Sequence, residues 1–217
     1  MKKAVIYVFL SAIFFSCGPQ ERVSRETIEE VNSNMEIKRL TEVEILDEAM
    51  TWGDSITAEA QKLLISQLQK AIEEKGVPGA VDYCHLQAIP ILAQLSQKHQ
   101  VQLRRVSNAY RNPADQPTIE EKPLLEAYEY NAEGGFASEP NIQKFEKGEV
   151  LLYTKPIVIP NGMCLNCHGE PGKDISKETQ EKIDDRYPDD KATGHRVGDL
   201  RGMWSVRIPK KEVVKRL

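Results

Sequence analysis

Residues 45–72, ILDEAMTWGDSITAEAQKLLISQLQKAI, place apolar side chains at Ile45, Leu46, Ala49, Met50, Ile56, Ala60, Leu63, Leu64, Leu68, Ala71 and Ile72. Steps of three and four put these residues on one face of a long α-helix, and Gly76 and Pro78 end the pattern. Gly53, a poor helix former, marks a candidate break inside it. A second helix starts near Pro78-Gly79 and carries Val81, Cys84, Ala88, Ile91, Leu92 and Leu95 at the same spacing, so Cys84 falls on its apolar, inward face. Pro90 has no amide hydrogen to give the carbonyl of Leu86, which predicts a kink about one turn beyond Cys84.

Outward from these helices the texture of the chain changes. Residues 101–106, 150–159 and 202–208 are β-branched or aromatic-rich and are separated by Gly, Pro and Asn, the pattern of strands joined by turns. The helix signals between them are irregular, so antiparallel pairing is expected rather than βαβ units. The fold class is therefore α+β, an antiparallel sheet preceded by long helices. Residues 168–199 are polar, with a short helical pattern at 179–183, and read as a surface excursion. No internal repeat is present.

A chain of 217 residues with 40% hydrophobic content supports one core of ordinary size plus a tail. Lys2 and Lys3 precede an apolar run over residues 4–15, too short to cross a bilayer of about 30 Å but suited to a signal peptide. The run ends at Ser16-Cys17-Gly18, which resembles the lipobox where bacterial signal peptidase cuts before a lipid-bearing cysteine. Phe14 stands where the commonest lipobox has Leu, and a plain signal peptide cleaved nearby is the alternative. Residues 1–16 are thus expected to be a lipoprotein signal peptide, with Cys17 the lipidated N-terminus and residues 17–43 a flexible tether rich in Glu, Ser, Asn and Arg. Residues 44–217 form the folded domain, and the protein is exported, held in the periplasm or cell envelope through its N-terminal lipid. Removing residues 1–16 takes away two lysines and no acid, moving the formal charge from -4 to -6, and an acidic chain argues against nucleic acid as a partner.

The chemistry concentrates at Cys164-Leu165-Asn166-Cys167-His168. Cys-x-x-Cys-His is the attachment signature of c-type haem: two thiols reach the two vinyl groups and the adjacent histidine reaches the iron. Cys164 and Cys167 would form the thioethers of one haem c, and His168 the proximal bond. A redox dithiol of thioredoxin type would sit at a strand-to-helix turn in a βαβ setting, which the pattern lacks. A zinc site needs four tetrahedral ligands, and the neighbours Cys167 and His168 are poorly disposed to bind one ion together with Cys164.

Lipid on Cys17 and thioethers on Cys164 and Cys167 leave Cys84 as the odd thiol. It is either a small buried hydrophobe or an axial ligand opposite His168. Met163, Met203, His85, His99 and His195 are other candidates for that sixth position. Met163 lies too near the attachment site, His99 sits among polar neighbours, and His85 points off the apolar face. His195, in the loop Thr193-Gly194-His195-Arg196, is the strongest of the rivals.

Four further motifs follow in order: Ala80-Val81-Asp82-Tyr83-Cys84 with Ala88 and Pro90, Arg105-Val106-Ser107 leading to Arg111-Asn112-Pro113-Ala114-Asp115, Tyr153-Thr154-Lys155-Pro156-Ile157, and Gly198-Asp199-Leu200-Arg201-Gly202-Met203-Trp204-Ser205-Val206. Together they resemble the extracytoplasmic, PAS-like, single-haem c-type domains of unknown function, some of them fused to membrane sensor kinases, over residues 45–209. The resemblance implies a PAS-like antiparallel sheet and iron held by a motif histidine and a helix thiolate, here His168 and Cys84. The family usually has Asn where this chain has Asp115, a change that keeps the turn chemistry. Arg105 and Arg111 could neutralise haem propionates through their planar donor forks, or form surface salt bridges beside a turn. Trp204 and Met203 read as core.

The expected function is a redox or small-gas (CO or NO) sensing haem domain, because a thiolate favours ferric iron and lowers the reduction potential. An electron-transfer cytochrome serving an exported reductase is the alternative. An enzyme such as a peroxidase ranks last, since no distal His and Arg pair is placed for it. A sensor ending at Lys210-Lys211-Glu212, soon after its last strand, would need a separate signalling or redox partner protein.

Overall fold

The computed structural model describes residues 23–34 and 40–217. The expected signal peptide, residues 1–16, and Cys17 lie outside the described residues. Two compact units divide at residue 39. In the first, exposed Val23 precedes helix α1 (Arg25–Asn34), which carries exposed Ile28. The second, residues 40–217, holds every motif beyond the N-terminus.

That unit opens with α2 (Glu42–His99), which starts at a reciprocal cap: the Thr41 hydroxyl accepts from the Glu44 amide, and the Glu44 carboxylate accepts from the Thr41 amide. Gly76 interrupts the helix with φ 71° and ψ 174°, angles that a side chain resists, so the sequence pattern of two successive helices is what the backbone shows. The break expected at Gly53 is absent. The helix runs straight past it because the Tyr153 ring lies against the bare Cα, where a Cβ would stand 2.4 Å from two ring carbons. Pro90 likewise keeps helical backbone angles, so the expected kink does not appear as a departure from them; the one such departure in α2 is Gly76. Gln100 in the left-handed region closes the helix.

The sheet has four strands, β1 (Gln102–Val106), β2 (Asn141–Phe145), β3 (Val150–Val158) and β4 (Leu200–Pro209), in the order β1-β4-β3-β2, each pair antiparallel. Alternation assigns its faces. Leu103, Leu151, Tyr153, Trp204, Val206 and Ile208 pack with Ile45, Ala49, Trp52 and Ile56 of α2. On the other face Val106 and Met203 pack with Leu125 and Tyr128 of α3 (Lys122–Glu133). There Ser205 donates to the buried Glu121 carboxylate (2.7 Å).

The motif occupies α4 (Gly162–His168), and α5 (Lys177–Arg186) follows it. The stretch expected to be a surface excursion instead folds back: Ile175, Ile183 and Tyr187 form a second buried cluster with Val81, and Cys167 packs against it. Residues Lys210–Val214, α6, complete the unit. Among the described residues no helix is long and apolar enough to cross a membrane.

Candidate functional site

Helix α4 is short, and its first turn is fixed from outside its own hydrogen-bond ladder. Asn161 caps it, the side-chain oxygen accepting from the Met163 amide at 3.1 Å. One turn later Arg111 reaches over from the loop after β1: Nη2 donates to the Cys167 carbonyl (2.6 Å), while Nε and Nη2 grip the two oxygens of Asp190, both at 3.0 Å. This two-pronged pairing holds the end of α4 to the segment that follows α5.

His168 is set by the same segment. Its Nδ1 donates to the Ala192 carbonyl at 2.8 Å, since a carbonyl can only accept, and the tautomer this fixes leaves Nε2 as a bare lone pair. Burial first, and then the charges of Arg201 and Arg111, drive the imidazole well below the ordinary histidine range, so it stays neutral. A neutral imidazole with one nitrogen hydrogen-bonded and the other bare is the form that binds metal. The loop carrying His195 is stitched alongside, its amide donating to the His168 carbonyl at 2.9 Å and the two rings meeting edge to face at 6.3 Å.

Three thiols stand on the helices at this site. Cys164 and Cys167 share its helix, while Cys84 comes from α2, a helix that touches both α4 and α5. Burial raises all three thiols, with Cys167 pushed up to about 11 by burial ahead of any charge. A dithiol built for disulfide exchange has its thiolate stabilised, so these values run against a redox-dithiol reading. Cys84 lies close enough to Cys167 to add to the cost of its charge, and the positive field of Arg105 and Arg111 acts on Cys84 in the opposite direction from burial.

Of the rivals for the position opposite His168, Met203 is fully buried on the other face of the sheet with Leu125 and Tyr128. His99 is tied to Glu59 at 2.8 Å beside Trp52. His85 is exposed, edge to face with Tyr187 at 5.0 Å. His195 does sit at the site, with a buried Nε2 that has no hydrogen-bond partner among the described residues. Arg105 and Arg111 are both brought to it, Arg105 from the α2 face of β1 opposite Trp204.

Sequence reasoning missed Arg201, Asp190 and Tyr187. Arg201 lies at the start of β4 and donates through Nη1 to the Ser107 hydroxyl (3.1 Å) and the Ala109 carbonyl (2.8 Å). A charged residue just before the buried run Gly202 to Val206 was the available signal. An open depression of about 510 Å³ lined by Leu40, Glu42, Ile45, Lys144, Lys147, Gly148 and Lys210 is a separate feature, and none of the motif residues lines it.

Comparison with curated protein sequences gives no match. Among solved structures, the crystal structure of the cyanobacterial haem protein Tll0287 is similar at 28% identity, over 70% of this chain and 95% of that one, with a TM-score of 0.46. The family model described as Tll0287-like matches residues 20–209, which include the motif, Cys84 and all three arginines. The chain belongs to the Tll0287-like family.

Proposed function

We propose that this protein is an exported, lipid-anchored haem c protein that senses redox state or a small gas, with Cys164 and Cys167 as attachment thiols and His168 and Cys84 as axial ligands. The observation that carries the reading is His168: a half-buried, neutral imidazole, its Nδ1 committed to the Ala192 carbonyl and its Nε2 bare, on the same short helix as two thiols at the attachment spacing. Membership of the Tll0287-like family agrees with it, since Tll0287 is a haem protein. The antiparallel sheet, with ligands supplied from one side by helix and loops, suits a PAS-like domain.

Bound there, a haem supplies reversible one-electron chemistry and a site for CO or NO. The chain supplies the rest. Burial favours the neutral Cys84 thiol more than Arg105 and Arg111 favour its thiolate, so its pKa stands above the ordinary thiol value, and Cys84 would have to give up its thiol proton to hold an iron. Cys84 stands on the part of α2 beyond the Gly76 break, and a change in its charge therefore acts on a helical segment jointed to the rest. Asn161 and Arg111 hold α4 at its two ends, keeping His168 in place while Cys84 changes state.

The test is to produce the full chain with c-type maturation proteins and record absorption and electron paramagnetic resonance spectra beside those of Cys84→Ala. A covalent haem with a low-spin thiolate signal that is lost in the variant, and CO binding on reduction, are expected. The mass of the same purified protein's N-terminal peptide should show lipid on Cys17. Absence of covalent haem overturns the reading. A variant spectrum like the parent's, with no CO binding, makes the protein an electron-transfer cytochrome with His195 as the candidate ligand.

A further inference from the structure

The positive charge around the motif is only partly answered by the chain. Arg111 has its own carboxylate, Asp190, and spends its Nη2 on the Cys167 carbonyl as well. Arg105 approaches Asp115 only to 3.6 Å, beyond hydrogen-bond distance, and burial pushes the Asp115 carboxyl up, which weakens that carboxylate as a counter-charge. Arg201 has neutral oxygens at its Nη1 and no ion-pair partner among the described residues. The Nε atoms of both Arg105 and Arg201 are shut off from solvent without a hydrogen-bond partner among the described residues. Burial, followed by the repulsion of Arg105 and Arg111, brings Arg201 down to about 10, low for a guanidinium.

Two closed-off guanidinium donors on adjacent antiparallel strands cost the folded chain stability unless something anionic completes them. The fold brings them within reach of each other's charge: Arg105 is in β1 opposite Trp204, Arg201 is at the start of β4, and Ser107 ties the two strands by donating to the Arg201 carbonyl (2.8 Å) while accepting from its Nη1. Arg111 is different in kind, because its donors end on a carboxylate of the chain, Asp190, and on the Cys167 carbonyl of the attachment helix.

We infer that Arg105 and Arg201 form a seat for the paired carboxylates of the bound tetrapyrrole, while Arg111 is a positioning residue that locks α4. The inference rests on the haem reading above. A porphyrin carries its two propionates on the edge opposite its two thioether positions. Such a ligand needs one set of donors at the attachment helix for the chain itself and a separate set for its acids, which is the division seen here. The planar fork of arginine suits a carboxylate in two-point contact. The repulsion that destabilises the ligand-free site becomes attraction once two carboxylates enter.

That reversal of sign is measurable. The full chain is produced with and without c-type maturation, as the parent and as Arg201→Gln, Arg105→Gln and Arg111→Gln, and thermal midpoints are taken for the haem-loaded and haem-free forms. Arg201→Gln and Arg105→Gln should each lower the midpoint of the loaded form by about 3 °C or more beyond any loss in the haem-free form, where Arg201→Gln gives up only the Nη1 contacts to Ser107 and Ala109. Arg111→Gln should lower both forms, since its partners belong to the chain. If Arg201→Gln fails to fold without haem, Arg105→Gln decides. Equal losses in both forms for Arg201→Gln and Arg105→Gln overturn the inference with the haem reading intact. A parent chain that takes up no covalent haem overturns both.

Discussion

At Gly53 a missing side chain decides how helix and sheet meet. The fully buried Tyr153 ring lies on the helix backbone there, and its hydroxyl is anchored one residue further on by donation to Asp54 Oδ1 at 2.5 Å, where Lys155 also donates at 2.8 Å. Held at both ends, the ring cannot swing away from a methyl group placed 2.4 Å from its carbons. Gly53→Ala should therefore destabilise the protein by about 2 kcal/mol or more, although alanine is the better helix former. A urea midpoint that is unchanged or raised would show that the ring is not so confined. Propensity alone made this glycine a candidate break, and only the distant Tyr153 explains why it is not one. Cys164, Cys167 and His168 were legible because their relation is local in sequence. Arg201 was not: nothing near it says that a strand far along the chain meets Arg105 and the motif.

Elements were legible in proportion to their own periodicity. The two parts of α2 and the three strands β1, β3 and β4 were visible because burial on one face repeats along them. Strand β2 was not, because it is an edge strand with Ile142 and Phe145 only half-buried and Lys144 exposed. Helix α3 did leave a trace: Thr118 and Glu121 bond each other's amides, a Thr-x-x-Glu start signal ahead of Pro123, Leu124, Leu125 and Tyr128. For α5 the polar composition hid its inward side. Ile183, fully buried with Val81, Ile175 and Tyr187, holds the segment that supplies the Asp190 and Ala192 contacts. Ile183→Ala should cost about 2–4 kcal/mol in chemical denaturation, and a loss under 1 kcal/mol would mean that this cluster is not core. The surface pairs of Asp82 with Lys182 and Arg186 on the same helix should matter far less, since exposed ion pairs contribute little.

For the whole molecule, the buried titrating groups predict a stability window in the haem-free chain. His168 and His195 are both lowered from 6.5, chiefly by burial, so below that pH the unfolded chain takes up protons that the folded one refuses. Their contribution is fully present above about 6.5 and is lost as pH falls toward the folded values. Cys84 and Cys167 are shifted the other way, Cys167 from 9.0 to about 11. The unfolded chain ionises first, so that contribution is present below about 9 and is lost as pH rises toward 11. Tyr187, raised from 10.0 to about 12, extends the alkaline loss. Asp115, raised by burial from 3.8, opposes the histidines on the acid side. Calorimetric midpoints of the haem-free chain should form a plateau between about pH 7 and 8.5 and fall on both sides, and a midpoint that rises from pH 7 down to 5 would refute the acid limb. Haem loading should flatten both limbs together, because one bound group would take His168 as an iron ligand and the Cys167 thiol as a thioether. Flattening of one limb alone would mean that the histidine and the thiols do not serve the same ligand.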